Sequence, residues 1–355
     1  MKKTIHIVPT FKLGGVQTGI IYSIEELQEK INYYVLVIYD KDKSLVNDLP
    51  AAIQKNIIWT NSRYLLFGWI KAFFIIKKHQ PQIIISSLWK SVPLSILYKI
   101  THPKIRLIGF FHLPSAVHFM NNFFLKSISR FQNLALADSF DTKKFIKQAF
   151  KVKEVKVVPY IFNLKKFTKN NPRKINQDNI KLVFFGRLHP IKGLERSIRF
   201  CKLCIEQHIP VSLDIYGEGD AKTYQDLINN FGISDEIKIR GLILPSKVVE
   251  TMVQYDFLLQ LSNVEGMSLS VVEAMSCGLV PIVTPVGEIK NYSKDGVNAI
   301  WLDENFDEQL PSLVDKFKKV INDPAYYKQL SEKAQNAFDD YEKYTDAMCD
   351  AIHSL

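Results

Sequence analysis

Between Asp48 and Asp138 the sequence contains no aspartate or glutamate, while the same interval carries eleven lysines and arginines. Residues 1–166 hold 25 Lys plus Arg against 9 Asp plus Glu, a net +16, and the remainder is net −6 on a chain of +10 overall. That asymmetry excludes an evenly charged surface and predicts an anionic partner for the first half. Cysteine is scarce too: Cys201, Cys204, Cys277 and Cys349 are too few for a disulfide framework, so a reducing compartment is expected. Long apolar runs are missing. "RYLLFGWIKAFFIIKKHQP" is broken by Lys71 and closed by Lys77 and Lys78, too short to span a bilayer. The basic N-terminal "MKKTIHIVPTFKLGG" has too short an apolar run for a secretory signal. "YGEGD" lacks the third glycine of a dinucleotide fingerprint. "CKLC" suggests redox or zinc chemistry, but Cys201 shares a helical stripe with Leu194, Ile198 and Ile205, so a buried helix face is expected.

What the chain has in quantity is alternation. Its 355 residues exceed one small core and predict two domains. "TIHIVPTFKLGG" is a strand running into a glycine turn, and "VQTGIIYSIEELQEK" has helical spacing at Ile20, Ile24 and Leu27. "NYYVLVIYD", "QIIISSL", "KIRLIGFFH" and "NLALAD" follow as strands. A polar stretch near residue 165 breaks the pattern, and the plan repeats from "IKLVFFG" to "VPIVT". Near-continuous apolar strands between helices mean parallel sheets covered on both faces. The expected fold class is α/β: two facing doubly wound Rossmann-like domains with an interdomain cleft. Residues 1–165 form the first domain, 166–335 the second, and 336–355 a terminal helix suited to cross back to the first. Ligands in such sheets sit beyond the carboxyl ends of the strands.

Two segments of the second domain carry chemistry. "FFGRLHPIKGLERS" ends a strand and presents Arg187 and Lys192 before a helix starting near Gly193, an arrangement suited to an anion. "EGMSLSVVEAMSCG" places Gly266, Met267, Ser268 and Leu269 around a helix start, where backbone amides are free to bind oxygens. From Ser268 to Glu273 a helix rises about 7.5 Å, which suits a diphosphate at its start and a ribose at Glu273. A carboxylate there accepts two hydroxyl hydrogen bonds. Glu265, in the preceding loop, reaches a sugar on the other side of the phosphates.

"GRLHPIKG" followed by "EGMSLSVVE", with seven residues between the two glutamates, resembles the GT-B retaining glycosyltransferases of family 4. The likeness covers nearly the whole chain, and the Gly14–Gly15 pair after the first strand fits it. It implies a hexosyltransferase with a UDP- or GDP-linked sugar as donor. Arg187 and Lys192 would neutralise the diphosphate, Glu273 would hold the ribose and Glu265 would contact the transferred sugar. Gly14 and Gly15 would approach the donor, and His112 in "GFFHLPS" would lie beside sugar and acceptor. Retention of anomeric configuration is likewise implied. Three departures from the family pattern are Leu113 after His112, the absence of an Asn-Gly pair from "VPYIFN", and Glu288 in the second place of a glycine pair. Asp40 and Asp42 in "YDKD" mimic the metal-binding Asp-x-Asp of the other glycosyltransferase fold. With two cations to neutralise the phosphates, no metal and no further cofactor are expected.

The acceptor is expected on the first domain. "RYLLFGWIKAFFIIKK" and "AVHFMNNFFLKSISRFQ" are basic, aromatic-rich and amphipathic, as suits an anionic membrane surface. A cytoplasmic protein, peripheral on the inner face of the cell membrane, is therefore expected. Its acceptor would be a lipid-linked glycan or lipopolysaccharide in bacterial surface polysaccharide or capsule synthesis. Two other readings stay open: a basic nucleic-acid-binding protein, though no reading motif is present, and an epimerase or phosphorylase on the same two-domain plan. Nucleic acid is not expected as a partner.

Overall fold

A computed structural model describes residues 2–112, 119–164, 175–303 and 308–355. The chain divides into two units, Met1–Phe162 with Glu342–Leu355, and Asn163–Tyr341. The first is built on a seven-stranded sheet of order β3-β2-β1-β4-β5-β6-β7. These strands are β1 (Lys3–Val8), β2 (Asn32–Val37), β3 (Ile57–Trp59), β4 (Ile83–Ser87), β5 (Arg106–Phe111), β6 (Leu134–Ala137) and β7 (Val155–Val157). All its pairings are parallel. Apolar side chains on both faces explain this, since β4 and β6 are buried at every position. The core runs through Ile5, Ile7, Leu36, Ile84, Leu107 and Ala135.

Three helices, Leu65–His79, Val92–Thr101 and Phe119–Phe131, pack in sequence against one another. The first carries apolar residues on its exposed as well as its buried face. Gly68, Ala72 and Ile76 face inward, while Leu66, Phe67, Ile70 and Phe74 are more than half exposed. The last helix of the chain, Tyr344–His353, also belongs to this unit and packs on the helix Gly15–Lys30.

The second unit carries a six-stranded parallel sheet of order β10-β9-β8-β11-β12-β13. Its strands are β8 (Ile180–Phe185), β9 (Val211–Tyr216), β10 (Ile237–Gly241), β11 (Phe257–Gln260), β12 (Val280–Val283) and β13 (Ile300–Trp301). Most of the expected buried face of the helix Leu194–Glu206 is there: Leu194, Ile198 and Cys201 lie in the core, joined by Cys204, while Ile205 packs against it only partly buried. Burial pushes the Cys204 thiol up to about 12 and that of Cys201 upward as well, so both behave as apolar side chains.

Strand order reverses between β1 and β4 in the first sheet and between β8 and β11 in the second. Loops leaving neighbouring strands diverge at such points, and the crevice beyond the carboxyl ends is where these sheets bind ligands.

Candidate active site

In the second unit the two chemistry-bearing segments leave the strands that flank the reversal. Arg187 follows β8, and Glu265 follows β11 by five residues. A short turn of helix, Pro190–Lys192, ends at Gly193, whose φ is +65°. A Cβ on Gly193 would stand 1.7 Å from the Leu261 carbonyl oxygen, so only glycine lets this loop press against the end of β11. The loops are also tied by Asn263 N–H, which donates to the Ile191 carbonyl at 2.8 Å.

This close approach joins Lys192 to Glu265. The ammonium lies 2.8 Å from each carboxylate oxygen. Glu265 is 6 % exposed, and its Oε1 also accepts from Gln260 Nε2 and Ser262 Oγ, each at 2.7 Å. Gln260 extends the network to the helix Leu269–Ser276. Its Nε2 reaches Ser268 Oγ at 3.2 Å, and its Oε1 accepts from Ser270 Oγ at 2.5 Å. Charge, carboxylate and helix start are thus one hydrogen-bonded unit. The sequence reading gave Lys192 and Glu265 separate roles; the fold makes them an ion pair.

The helix start has no capping side chain, and Ser268 stands before it at φ +55°. A left-handed serine is strained by about 1–2 kcal/mol. The first amides of a helix have no partner within it, so this strained, uncapped start presents donors to an external anion. Tyr292 steadies the segment by donating its hydroxyl to the Met267 carbonyl at 2.9 Å, and burial pushes its phenol upward. Gly287, at φ +57°, packs against the carbonyls of Glu265 and Gly266. Arg187 is exposed and makes no ion pair among the described residues. Glu273 is enclosed at 4 % exposure and engaged within the fold rather than solvated. Of the expected site, Arg187, Lys192, Glu265, Gly266, Met267, Ser268, Leu269 and Glu273 therefore lie on adjoining loops and one helix. Gln260, Ser262 and Tyr292 were missed. Gln260 left a signal, as the one polar residue of the strand "FLLQ".

The remaining expected residues lie in the first unit. Gly14 precedes the helix Gly15–Lys30. A Cβ on Gly15 would meet nothing within 4 Å, and one on Gly14 would meet Gln17 Oε1 at 3.0 Å. Gly15 faces open space, so packing does not require it to be glycine. His112 follows β5, half-buried, with both ring nitrogens near hydroxyl oxygens, Nε2 at Ser87 and Nδ1 at Tyr160. Burial, then the neighbouring His6, pushes it down to about 3, so it is neutral at physiological pH. Leu113 lies outside the described residues.

Asp40 has a backbone role. It accepts from the amides of Phe11, Lys41 and Asp42, tying the β1 and β2 exits together. No cluster of His, Cys, Asp or Glu suited to a metal occurs among the described residues.

The two glycines that border these sites make opposite predictions. Gly193→Ala should destabilise the protein by about 2–4 kcal/mol, through left-handed strain and the clash with Leu261. Gly15→Ala should leave stability unchanged or slightly raised while weakening any ligand that approaches the backbone there. Urea unfolding of both variants beside donor-binding measurements checks this; a Gly193→Ala protein of wild-type stability would contradict the packing argument.

Two parallel-sheet Rossmann-like units of this kind form the GT-B fold. The structure aligns over its full length with that of Anabaena HepE in complex with UDP and glucose, covering 100 % of both chains at TM-score 0.82 and 18 % identity. The lipopolysaccharide outer core galactosyltransferase WaaB aligns at TM-score 0.68 and 18 % identity, covering 100 % of this chain and 99 % of that one. Residues 165–337 match the family of glycosyl transferases group 1, and with the fold this supports a GT-B glycosyltransferase. Among curated relatives, the GPI3 subunit of phosphatidylinositol N-acetylglucosaminyltransferase from Saccharomyces cerevisiae is 26 % identical over 190 residues, 52 % of this chain and 42 % of that protein. The chain spans less than half the length of the curated relatives it first matches.

Proposed function

We propose that the protein is a retaining, metal-independent family 4 hexosyltransferase that moves a sugar from a UDP- or GDP-linked donor to a lipid-linked glycan or lipopolysaccharide-type acceptor in bacterial surface polysaccharide assembly. The observation that carries this reading is the grouping of Arg187, the Lys192–Glu265 pair and the uncapped start of the helix Leu269–Ser276 at the reversal of the second sheet. The diphosphate would take the helix amides and Arg187, and Glu273 would hold the ribose hydroxyls. As the bond from the anomeric carbon to the diphosphate oxygen breaks, charge grows on the leaving group. Arg187, Lys192 and the helix start would stabilise it in place of a metal. Both Glu265 oxygens are committed to hydrogen bonds, which makes that carboxylate a poor nucleophile. The acceptor oxygen would then bond to the anomeric carbon on the departing face, and its proton would pass to the leaving phosphate. The UDP-glucose complex of HepE supports the donor class, and the names of WaaB and the phosphatidylinositol enzyme support a lipid-borne acceptor.

A bilayer as the acceptor's home is supported by the first unit. Tyr64, Phe67, Ile70, Phe74, Leu97 and Phe123 are all more than half exposed on or beside its three adjoining helices, within the interval that has no acidic residue. Exposed apolar area of that extent marks an interaction surface. Of the two Phe pairs in these segments, Phe74 and Phe123 face outward, whereas Phe73 and Phe124 are partly buried. Phe73 packs its edge on Tyr98, and Phe124 stacks on Trp89 with ring centres 5.6 Å apart. Residues 116–118 of the second expected segment lie outside the described residues. No helix among the described residues is long and apolar enough to cross a membrane.

Calorimetry with UDP and GDP, with magnesium chelated, tests the donor half. One of them should bind, and Glu273→Ala should weaken it about 10- to 100-fold through lost charge-assisted hydrogen bonds. Equal affinity in a folded Glu273→Ala variant would contradict the ribose assignment. Transfer that chelator abolishes and manganese restores would contradict metal independence.

A further inference from the structure

Five polar side chains of the first unit form one continuous chain across its sheet. Tyr33 Oη lies 2.6 Å from His6 Nδ1, and His6 Nε2 lies 2.7 Å from Ser87 Oγ. Ser87 Oγ lies 2.9 Å from His112 Nε2, and His112 Nδ1 lies 3.3 Å from Tyr160 Oη. Tyr33 stands on β2, His6 on β1 and Ser87 at the end of β4; His112 directly follows β5. The path therefore steps strand by strand across the reversal. Tyr33, His6 and Ser87 are at most 1 % exposed and Tyr160 is 4 % exposed; only His112 is half-buried.

Counting protons sets the direction of this chain. A neutral imidazole has one donor and one acceptor nitrogen, and each hydroxyl has one proton to give. Five donors therefore serve four links, and one proton is surplus. A buried hydroxyl without an acceptor costs stability. Tyr33 Oη and Tyr160 Oη each have no other hydrogen-bond partner among the described residues, but Tyr33 is the more deeply enclosed, at 1 % against 4 % exposure, and its link is the shorter, 2.6 Å against 3.3 Å, so Tyr33 donates to His6 Nδ1. His6 then carries its proton on Nε2 and donates it to Ser87 Oγ. Ser87 Oγ is enclosed between the two imidazoles, so it donates to His112 Nε2. That leaves the His112 proton on Nδ1, directed at Tyr160 Oη. The surplus proton falls on Tyr160, beside the one partly exposed member. Shortening of the links toward Tyr33 fits a chain anchored at its buried end.

We propose that Tyr33, His6 and Ser87 are positioning residues that hold His112 as the neutral Nδ1–H tautomer, with the surplus Tyr160 proton left for a sugar oxygen or water beside it. Burial alone pushes His6 down to about 3, so neither imidazole gains a proton on the way. The effect on turnover rests on the reading of His112 as a residue beside the transferred sugar; the tautomer does not.

Long-range proton–nitrogen correlation spectra of the full chain, labelled with ¹⁵N-histidine, separate protonated from bare ring nitrogens. His6→Gln and His112→Gln supply the assignments. His112 should be protonated on Nδ1 and His6 on Nε2. Ser87→Ala should shift the His112 proton to Nε2 and lower kcat about tenfold, with nucleotide affinity unchanged. Ser87→Thr, which keeps the hydroxyl, should restore both. A wild-type His112 protonated on Nε2, or one unmoved in Ser87→Ala, would overturn the proposal. So would a Ser87→Ala enzyme of wild-type kcat. The spectra need no turnover. A wild-type protein that transfers no sugar would count against the glycosyltransferase reading and leave the tautomer result standing.

Discussion

Arg187→Ala and Lys192→Ala should each lower kcat for sugar transfer about 10²- to 10³-fold, the usual loss when one donor to a developing anion is removed. The two variants should differ sharply in stability. Arg187 is exposed and makes no ion pair among the described residues, so its truncation should change stability by no more than about 0.5 kcal/mol. Lys192 balances a carboxylate whose side chain is only 5 % exposed. Removing it leaves Glu265 buried with neutral partners alone, at a cost of about 3–5 kcal/mol. Glu265→Gln added to Lys192→Ala should recover most of that stability and none of the rate. Unfolding free energies and single-turnover rates on the four proteins make this comparison. Full activity in folded Arg187→Ala would remove the phosphate clamp from the mechanism. Unchanged stability in Lys192→Ala would mean that the pair seen here does not persist in solution.

The alternation of strand and helix was legible because both sheets are parallel and enclosed, which makes the central strands near-continuous apolar runs such as Leu134–Ala137. Short edge strands were not legible. Ile57–Trp59, Val155–Val157 and Ile300–Trp301 are two or three residues long and partly exposed, so they leave no period to read. The site segments were legible from their local chemistry: cations before one helix, glycine and serine at the start of another. Their mutual arrangement was not, because Lys192 and Glu265 are 73 residues apart and meet only through a left-handed glycine against the end of β11. His6 and Ser87 sat inside "TIHIV" and "IIISS" as polar interruptions of apolar strands. Their meaning depends on β1 and β4 being neighbours, which is a matter of topology. Phe73 and Phe74 show a different limit. Consecutive helical residues point about 100° apart, so one of the pair turns further outward, but a helix with apolar residues on both faces does not reveal which.

Charge reversal at Lys71, Lys77 and Lys78 together should lower binding to anionic vesicles at low salt by at least about 100-fold. Each Lys or Arg near an anionic surface contributes about 1 kcal/mol, and about 1.4 kcal/mol is a factor of ten. Removing three such terms already reaches that figure, and the repulsion of three new carboxylates adds to it. All three lysines are exposed, so the reversal should spare the fold. The absence of acidic residues between Asp48 and Asp138 means that no neighbouring carboxylate in that interval offsets the attraction. Attraction of this kind is screened within about 8–10 Å at ordinary ionic strength, so the electrostatic part should fade as salt rises. A salt-resistant remainder should come from apolar insertion. Phe67 and Phe74 are 62 % and 63 % exposed and Ile70 is 57 % exposed. Replacing the three with serine removes little packing, and should abolish the remainder while leaving the low-salt attraction in place. Sedimentation with anionic and neutral vesicles, at low and high salt, separates the two contributions. A wild-type protein with no preference for anionic vesicles at low salt would return the basic face to plain solvation. Equal binding by the lysine-reversed protein would move the contact elsewhere.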